Sequence, residues 1–262
     1  MTLPPAEQSA YMTALPGVKH GFFGRREGGG QSDSATAPGL NVSETLGHDP
    51  ICVARNRCAA LTAIGMADCA LASAAQIHSN KVLSLTAPLP PEARPRVDGF
   101  VTNVKGLALA VITADCSPVL FADYQAGTIG ACHAGWQGAV DGIMANTVTG
   151  MIALGASPIN IVAAIGPTIS WKNYEVGSEF AQAAIARNAN TKKFLSIPDG
   201  KSRTHFDLPG FVRAELDALG IKTIRDAGGC TYASPQKYFS HRHFTHNGGT
   251  PGRQVSLIAM PD

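Results

Sequence analysis

Three residues of this chain bind borderline or soft metals by type and stand where rigid strands end: His78, Cys116 and His133. They lie in Gln76-Ile77-His78-Ser79-Asn80, Thr113-Ala114-Asp115-Cys116-Ser117-Pro118 and Ala131-Cys132-His133-Ala134-Gly135-Trp136. A strand end holds a side chain from one side and leaves it open on the other, which suits a site that needs fixed ligand geometry. Two imidazoles and a thiolate form a three-ligand set typical of catalytic zinc, with the fourth position left to water or substrate. Copper is the alternative ion for the same donors, because the affinity order favours it. Cys116 and His133 also match a nucleophile with its base, and spacing does not separate that reading from metal binding. Asp115 adjoins Cys116. Successive strand residues point to opposite faces, so Asp115 is expected to orient a ligand from behind or to cap a turn.

The elements that must position these residues are strongest in the middle of the chain. Leu107–Thr113 is a continuous apolar run, as in a strand buried on both faces, and Val119–Ala122 and Thr128–His133 read as two further strands. Val140, Ile143, Met144, Thr147, Val148, Met151 and Ile152 then mark one face of a helix that Gly155 ends. Ile159–Ile165 reads as another buried strand. Asp49-Pro50 opens a helix with Ala54, Cys58 and Leu61 inward, Ser178 caps a helix through Ile185, and Leu208–Leu219 forms a helix stopped by Gly220. Gln254–Met260 is a closing strand, and Gly28–Gly39 is a long polar loop of the kind that carries lids or binding residues. Helices and strands mix without a regular βαβ rhythm, so the expected class is α+β, a mixed β-sheet sandwich flanked by helices, in one domain over residues 1–262.

A chain of 262 residues with 45% apolar and 15% charged residues builds a sizeable core. Its net charge of +2 gives no general electrostatic hold on nucleic acid or membrane surfaces. The expected partner is a small molecule. The N-terminal stretch has neither the basic start nor the apolar run of a signal peptide, and the six scattered cysteines show no secreted spacing. A cytoplasmic protein with free thiols is therefore expected.

The strings GFFGR (Gly21–Arg25), HSNKV from His78, VDGFVT (Val97–Thr102), TADCSPVLFAD from Thr113, HAGWQG from His133, AIGPTIS from Ala164, YEVG from Tyr174 and GGCT from Gly228, with the pair Asn56-Arg57, run in order along nearly the whole chain. Together they resemble the multi-copper polyphenol oxidoreductase (laccase-type) family, a group that also carries the names purine nucleoside phosphorylase and peptidoglycan editing factor. The resemblance implies a fold similar to the cysteine-hydrolase fold shared with a bacterial toxin domain. It also implies zinc or copper held by His78, Cys116 and His133. The activities it implies are phosphorolysis of adenosine, inosine and methylthioadenosine, and deamination of adenosine. Alternatives are a cysteine or metal hydrolase that edits a cell-wall precursor, a copper-dependent polyphenol oxidase, and a non-catalytic metal-binding protein.

Chemistry narrows these. A laccase needs several coppers and many histidines, largely in His-x-His pairs; this chain has eight His, and only His241-Arg242-His243 is so paired, with His246 nearby. One zinc with an open position instead suits deaminating or hydrolytic chemistry. Phosphorolysis also needs an anion site, for which Arg25 and Arg26 beside the Gly-rich loop are candidates, with Asn41 as a further substrate contact. Three departures from the family pattern stand out. Gln137 replaces an Arg after the Trp of HAGW, the Arg-x-Gly-Gly loop is stretched to Arg25-Arg26-Glu27-Gly28-Gly29-Gly30, and the Phe-Ser-Tyr-Arg segment reads Phe239-Ser240-His241-Arg242. The His cluster there is expected to be a solvated strand end or a second, weaker metal site.

Overall fold

The structure, a computed structural model, describes residues 3–25, 39–46, 48–90 and 92–262. Arg26 and the expected loop as far as residue 38 lie outside the described residues. In chain order the first elements are β1 (Ala6–Glu7), α1 (Ala10–Thr13), β2 (Lys19–Phe23), α2 (Pro50–Ala63), β3 (Ala70–Ala72), β4 (Val82–Leu85), β5 (Gly99–Thr102), β6 (Leu107–Thr113), β7 (Ser117–Asp123) and β8 (Thr128–Ala134). There follow α3 (Trp136–Val140), α4 (Ile143–Ala153), β9 (Val162–Ile165), α5 (Ser178–Arg187), β10 (Leu195–Ser196), β11 (His205–Phe206), α6 (Leu208–Ala218), β12 (Thr223–Asp226), α7 (His241–Asn247) and β13 (Gln254–Ala259). One sheet runs β1-β2-β13-β6-β3 and a second runs β12-β9-β7-β8-β5-β4; both mix parallel and antiparallel pairs. The class is α+β, as the sequence predicts.

Strand alternation assigns the layers. Leu107, Leu109 and Val111 of β6 pack with Leu120 and Ala122 of β7 and Ile129 and Ala131 of β8 in a core between the two sheets. Ala108 and Ala110, on the other face of β6, pack against Ala60, Leu61 and Ile64 at the end of α2. Val119, Phe121 and Cys132, on the other face of the second sheet, pack against α4 and α6 through Met144, Val148, Phe211 and Val212. Both sheets are thus covered on two faces, which is why their central strands read as unbroken apolar runs.

The helices depart from expectation in detail. The Asp49 side chain accepts from the Ile51 amide at 2.9 Å and Pro50 takes the first turn, as expected. The inward face of α2, however, is Val53, Asn56, Ala60 and Leu61, while Ala54 and Cys58 are exposed. The polar Asn56 takes an inward place because it binds the Asn41 carbonyl at 2.8 Å, so counting apolar residues misses the phase. The helix expected from Val140 to Ile152 breaks into α3 and α4 at Gly142, whose φ of +92° is left-handed. Ile159 lies in a turn and is exposed, and only Val162–Ile165 is strand. Gly177, not Ser178, precedes α5. β6 and β13 form within a residue of the expected limits.

Candidate metal centre

β8 fixes His133 by parity. Ile129 and Ala131 face the inter-sheet core, so His133 does too, at the end where the two sheets part, while Cys132 faces the helices. Burial among those helices pushes the Cys132 thiol up to about 12, so it stays an inert packing group. Cys116 sits in the tight connection from β6 to β7. Asp115 just before it has φ +90°, and its carboxylate accepts from Thr231 Oγ1 at 2.6 Å and from the Arg242 amide at 2.7 Å. It therefore secures the Cys116 turn to α7, the turn-holding role among those expected.

His78 lies in the connection from β3 to β4 with φ +59°. His78 and Asp115 are the non-glycine residues with left-handed φ among the described residues. Such strain persists only where the surroundings over-determine it. Asp98 supplies that here. Its Oδ1 accepts from the His78 amide at 3.0 Å, and its Oδ2 accepts from the Ile77 amide at 3.2 Å and from the Ser79 amide and Oγ at 2.7 Å. The same Oδ1 lies 2.9 Å from His133 Nδ1. Gln76 bonds the main chain of Ile112 in both directions, at 2.7 and 2.8 Å, and so extends the β6 ladder past the end of β3 toward His78.

These supports bring the donor atoms of His78, Cys116 and His133 within 4.8 Å of one another, with the two imidazoles edge-on at 4.7 Å between centroids. Gly135 closes over them; a Cβ there would stand 2.6 Å from His78 Nδ1 and 3.2 Å from Cys116 Sγ. Burial and the neighbouring His133 hold His78 below its ordinary value. Burial opposes charge on His133 as well, but the Cys116 sulfur and Asp98 outweigh it and raise His133 to about 9. Asp98 falls to about 2: burial works against its charge, and the bonds from His133 and Ser79 overcome it. Asp98 sets the orientation of one imidazole and the backbone of the other, the support that metal-binding histidines need. The donor set and its support fit a divalent ion.

The cluster opens on a cavity of about 600 Å³ walled in part by Arg57, Arg96, Arg253, Gln76 and His241. Asn56 and Arg57 clamp the segment from Asn41 that leads into the cavity wall at Ser43. Asn56 binds the Asn41 carbonyl, and Arg57 binds the Val42 carbonyl and Glu44. Arg25 and Asn41 are not among the described residues that line the cavity. Arg25 donates to the Pro235 carbonyl at 2.8 Å and lies over the Phe239 ring at 5.0 Å. Asn41 is fully buried, and its Oδ1 accepts from the Arg253 amide at 2.8 Å. The segment expected as a solvated strand end is instead α7, begun by Ser240 Oγ accepting from His243 N at 3.0 Å. His243 and His246 pack against Tyr232, and neither joins a third ligand within metal-binding distance among the described residues.

Reading by residue type finds the triad but not Asp98, Arg57, Arg96 or Arg253. A lone Asp at a strand start carries a weak signal, which VDGFVT shows only through its Gly-Phe-Val-Thr strand. The arginines meet only in the fold, because they are up to two hundred positions apart in the chain.

Comparison with known proteins gives the family and the fold. The chain is 38% identical to a purine nucleoside phosphorylase of Deinococcus radiodurans over 244 residues, covering 93% of this chain and 90% of that one. It is 38% identical to one from Corynebacterium glutamicum over 235 residues, covering 89% and 91%. The crystal structure of a Neisseria meningitidis protein superposes with a TM-score of 0.82 at 30% identity over 99% of both chains. Bacillus licheniformis hypothetical protein YfiH superposes with a TM-score of 0.79 at 28% identity, covering 93% of this chain and 92% of that one. The family model described as multi-copper polyphenol oxidoreductase laccase matches residues 19–261, and the chain belongs to that family.

Proposed function

We propose that the protein is a metal-dependent purine nucleoside phosphorylase that acts on adenosine, inosine and methylthioadenosine and deaminates adenosine at the same centre. The observation that carries this reading is a His-Cys-His cluster on the wall of a nucleoside-sized cavity that also holds Arg57, Arg96 and Arg253. Small-molecule sites span roughly 300–1,000 Å³. The relatives named purine nucleoside phosphorylase support the same substrate class. His78, Cys116 and His133 would hold zinc, with copper as the alternative, and such an ion would supply Lewis acidity to the substrate's polar atoms. Asp98, 2.9 Å from His133 Nδ1, would hold that nitrogen as the donor and turn the other toward such an ion. In phosphorolysis a phosphate oxygen bonds to ribosyl C1′, the C1′–N9 bond breaks, and its electron pair leaves on the purine, which takes up a proton.

Sharing of β6 and β13 between two cores supports a single domain over residues 1–262. Among the described residues no helix is long and apolar enough to cross a membrane. The six free thiols fit a reducing compartment, and we place the protein in the cytoplasm.

A second reading has its own observation. Cys116 Sγ lies within 4.8 Å of a His133 ring nitrogen, and His133 Nδ1 lies 2.9 Å from Asp98, the order of a Cys-His-Asp hydrolase, with a cell-wall precursor as substrate. A copper-dependent polyphenol oxidase finds less support, since the described residues bring together one three-ligand group. Incubation with adenosine, with and without phosphate, decides. Phosphate-dependent release of adenine supports phosphorolysis, and inosine formed without phosphate supports deamination. Absence of both, with metal bound, would reject the nucleoside reading.

A further inference from the structure

We propose that Arg253 is the residue that grips the phosphate co-substrate, and that it does so in the cavity that holds the His78–Cys116–His133 cluster. The proposal rests on the phosphorolysis reading above and names the anion site within it.

Among the described residues three arginines line the cavity, and their commitments differ. Arg57 is spent on the protein: Nε and Nη2 donate to the Val42 carbonyl at 3.3 and 3.0 Å, and Nη1 reaches Glu44 Oε1 at 2.5 Å. Arg96 is exposed to solvent at the rim, where attraction for an anion is screened. Arg253 differs from both. Its backbone is pinned on both sides, the amide on Asn41 Oδ1 at 2.8 Å and the carbonyl accepting from Val42 N at 3.0 Å. Its neighbour Gln254 pairs with Thr113 across β13 and β6, which places Arg253 beside the turn that carries Cys116. Nη1 donates to the Gly252 carbonyl at 2.8 Å, and among the described residues no carboxylate lies within ion-pair distance of its guanidinium.

Burial depresses the Arg253 guanidinium, and the charges of Cys116 and Asp115 oppose that shift. Arg253 lines the same cavity as His78, Cys116 and His133, so the cation and the cluster share one space. A half-buried cation without an ion-pair partner is costly until an anion arrives. The guanidinium fork matches two phosphate oxygens, which an ammonium does not. Phosphate held there stands in the same cavity as the ligand cluster, and the anion role expected of Arg25 falls to Arg253.

The test uses zinc-loaded wild type, Arg253→Gln, Arg253→Lys and Arg96→Gln. Steady-state phosphorolysis gives separate KM values for phosphate and adenosine, and broadening of the ³¹P signal of inorganic phosphate gives binding without turnover. Metal content is measured on each variant. Arg253→Gln is expected to raise the phosphate KM by about 10- to 100-fold while the adenosine KM moves by less than about threefold, with zinc content unchanged. Arg253→Lys, which keeps the charge and loses the fork, is expected to fall between, and it replaces Arg253→Gln if that variant does not fold. Arg96→Gln is expected to shift the phosphate KM least. An unchanged phosphate KM in both Arg253 variants overturns the proposal. Should wild type turn over no nucleoside, the phosphorolysis reading fails, and the ³¹P titration judges Arg253 alone. Phosphate binding lost in the variant upholds the anion site, and binding that is absent in wild type or equal in both rejects it.

Discussion

Asp98→Asn is the substitution that tests most directly how the centre is held. The Asp98 side chain is fully buried and takes bonds from three amides, one hydroxyl and an imidazole. An asparagine cannot satisfy this set in either orientation. With its amino group at the Oδ1 position it faces the His78 amide and donates to His133 Nδ1, which moves the His133 proton to the nitrogen meant for the metal. With the amino group at the Oδ2 position it faces three donors. The depression of Asp98 from 3.8 to about 2 corresponds to about 2 kcal/mol of preference for the charged form. Breaking one partner of a buried pair costs roughly 3–5 kcal/mol in all. In a chain of this length that lowers Tm by about 10 °C, and the lost tautomer control weakens metal binding by about 10- to 100-fold. Thermal melts of the metal-free protein and zinc competition against a coloured chelator measure the two effects. A variant that melts within about 2 °C of wild type and binds zinc within about twofold would refute the reasoning. The pH dependence has a definite sign. Asp98 is depressed, so its stabilisation is present above its unfolded value and lost as pH falls through about 2. His133 is raised, so in the metal-free protein the same pair stabilises fully below its unfolded value and is lost as pH rises through about 9.

Gly135→Ala places a methyl group 2.6 Å from His78 Nδ1, and metal analysis is expected to show loss of most of the bound ion with the fold retained by circular dichroism. Iodoacetamide is expected to spare Cys116 in the zinc-loaded protein and to modify it after chelation, while exposed Cys58 reacts in both states and buried Cys132 in neither; rapid alkylation of Cys116 with zinc bound favours the hydrolase reading. Buried His20 accepts from the Ser9 amide at 2.9 Å and burial lowers it to about 4. Its contribution is therefore complete above about pH 6.5 and lost as pH falls through about 4, roughly 3 kcal/mol, and His20→Gln is expected to flatten that part of the denaturant stability profile.

The sequence shows β6 and β13 within a residue because unbroken apolar runs report burial on both faces. It shows α6 because Gly220 stops a periodic stretch that starts at Leu208. It hides the phase of α2, where Asn56 faces inward to bind main chain, and the break at Gly142, where a left-handed glycine interrupts a continuous apolar face. Residue type and family resemblance singled out the three candidate ligands, and the fold brings them together. The support and the cations escaped because their roles arise from contacts made only on folding: Asp98 reaches back some twenty residues to His78, and Arg253 meets a wall segment more than two hundred residues away. Arg25 looked like an anion ligand by its glycine-rich neighbourhood, and the structure engages it with Pro235 and Phe239.

The central claim is that one metal-bearing cluster runs nucleoside chemistry, and its most direct test is the rate of ribose 1-phosphate formation from adenosine before chelation, after it, and after zinc is restored. The rate should collapse in the stripped protein, return with zinc, and stay absent in His78→Ala, Cys116→Ala and His133→Ala whatever is added. Full activity in exhaustively stripped protein, or in any of the three variants, would contradict it.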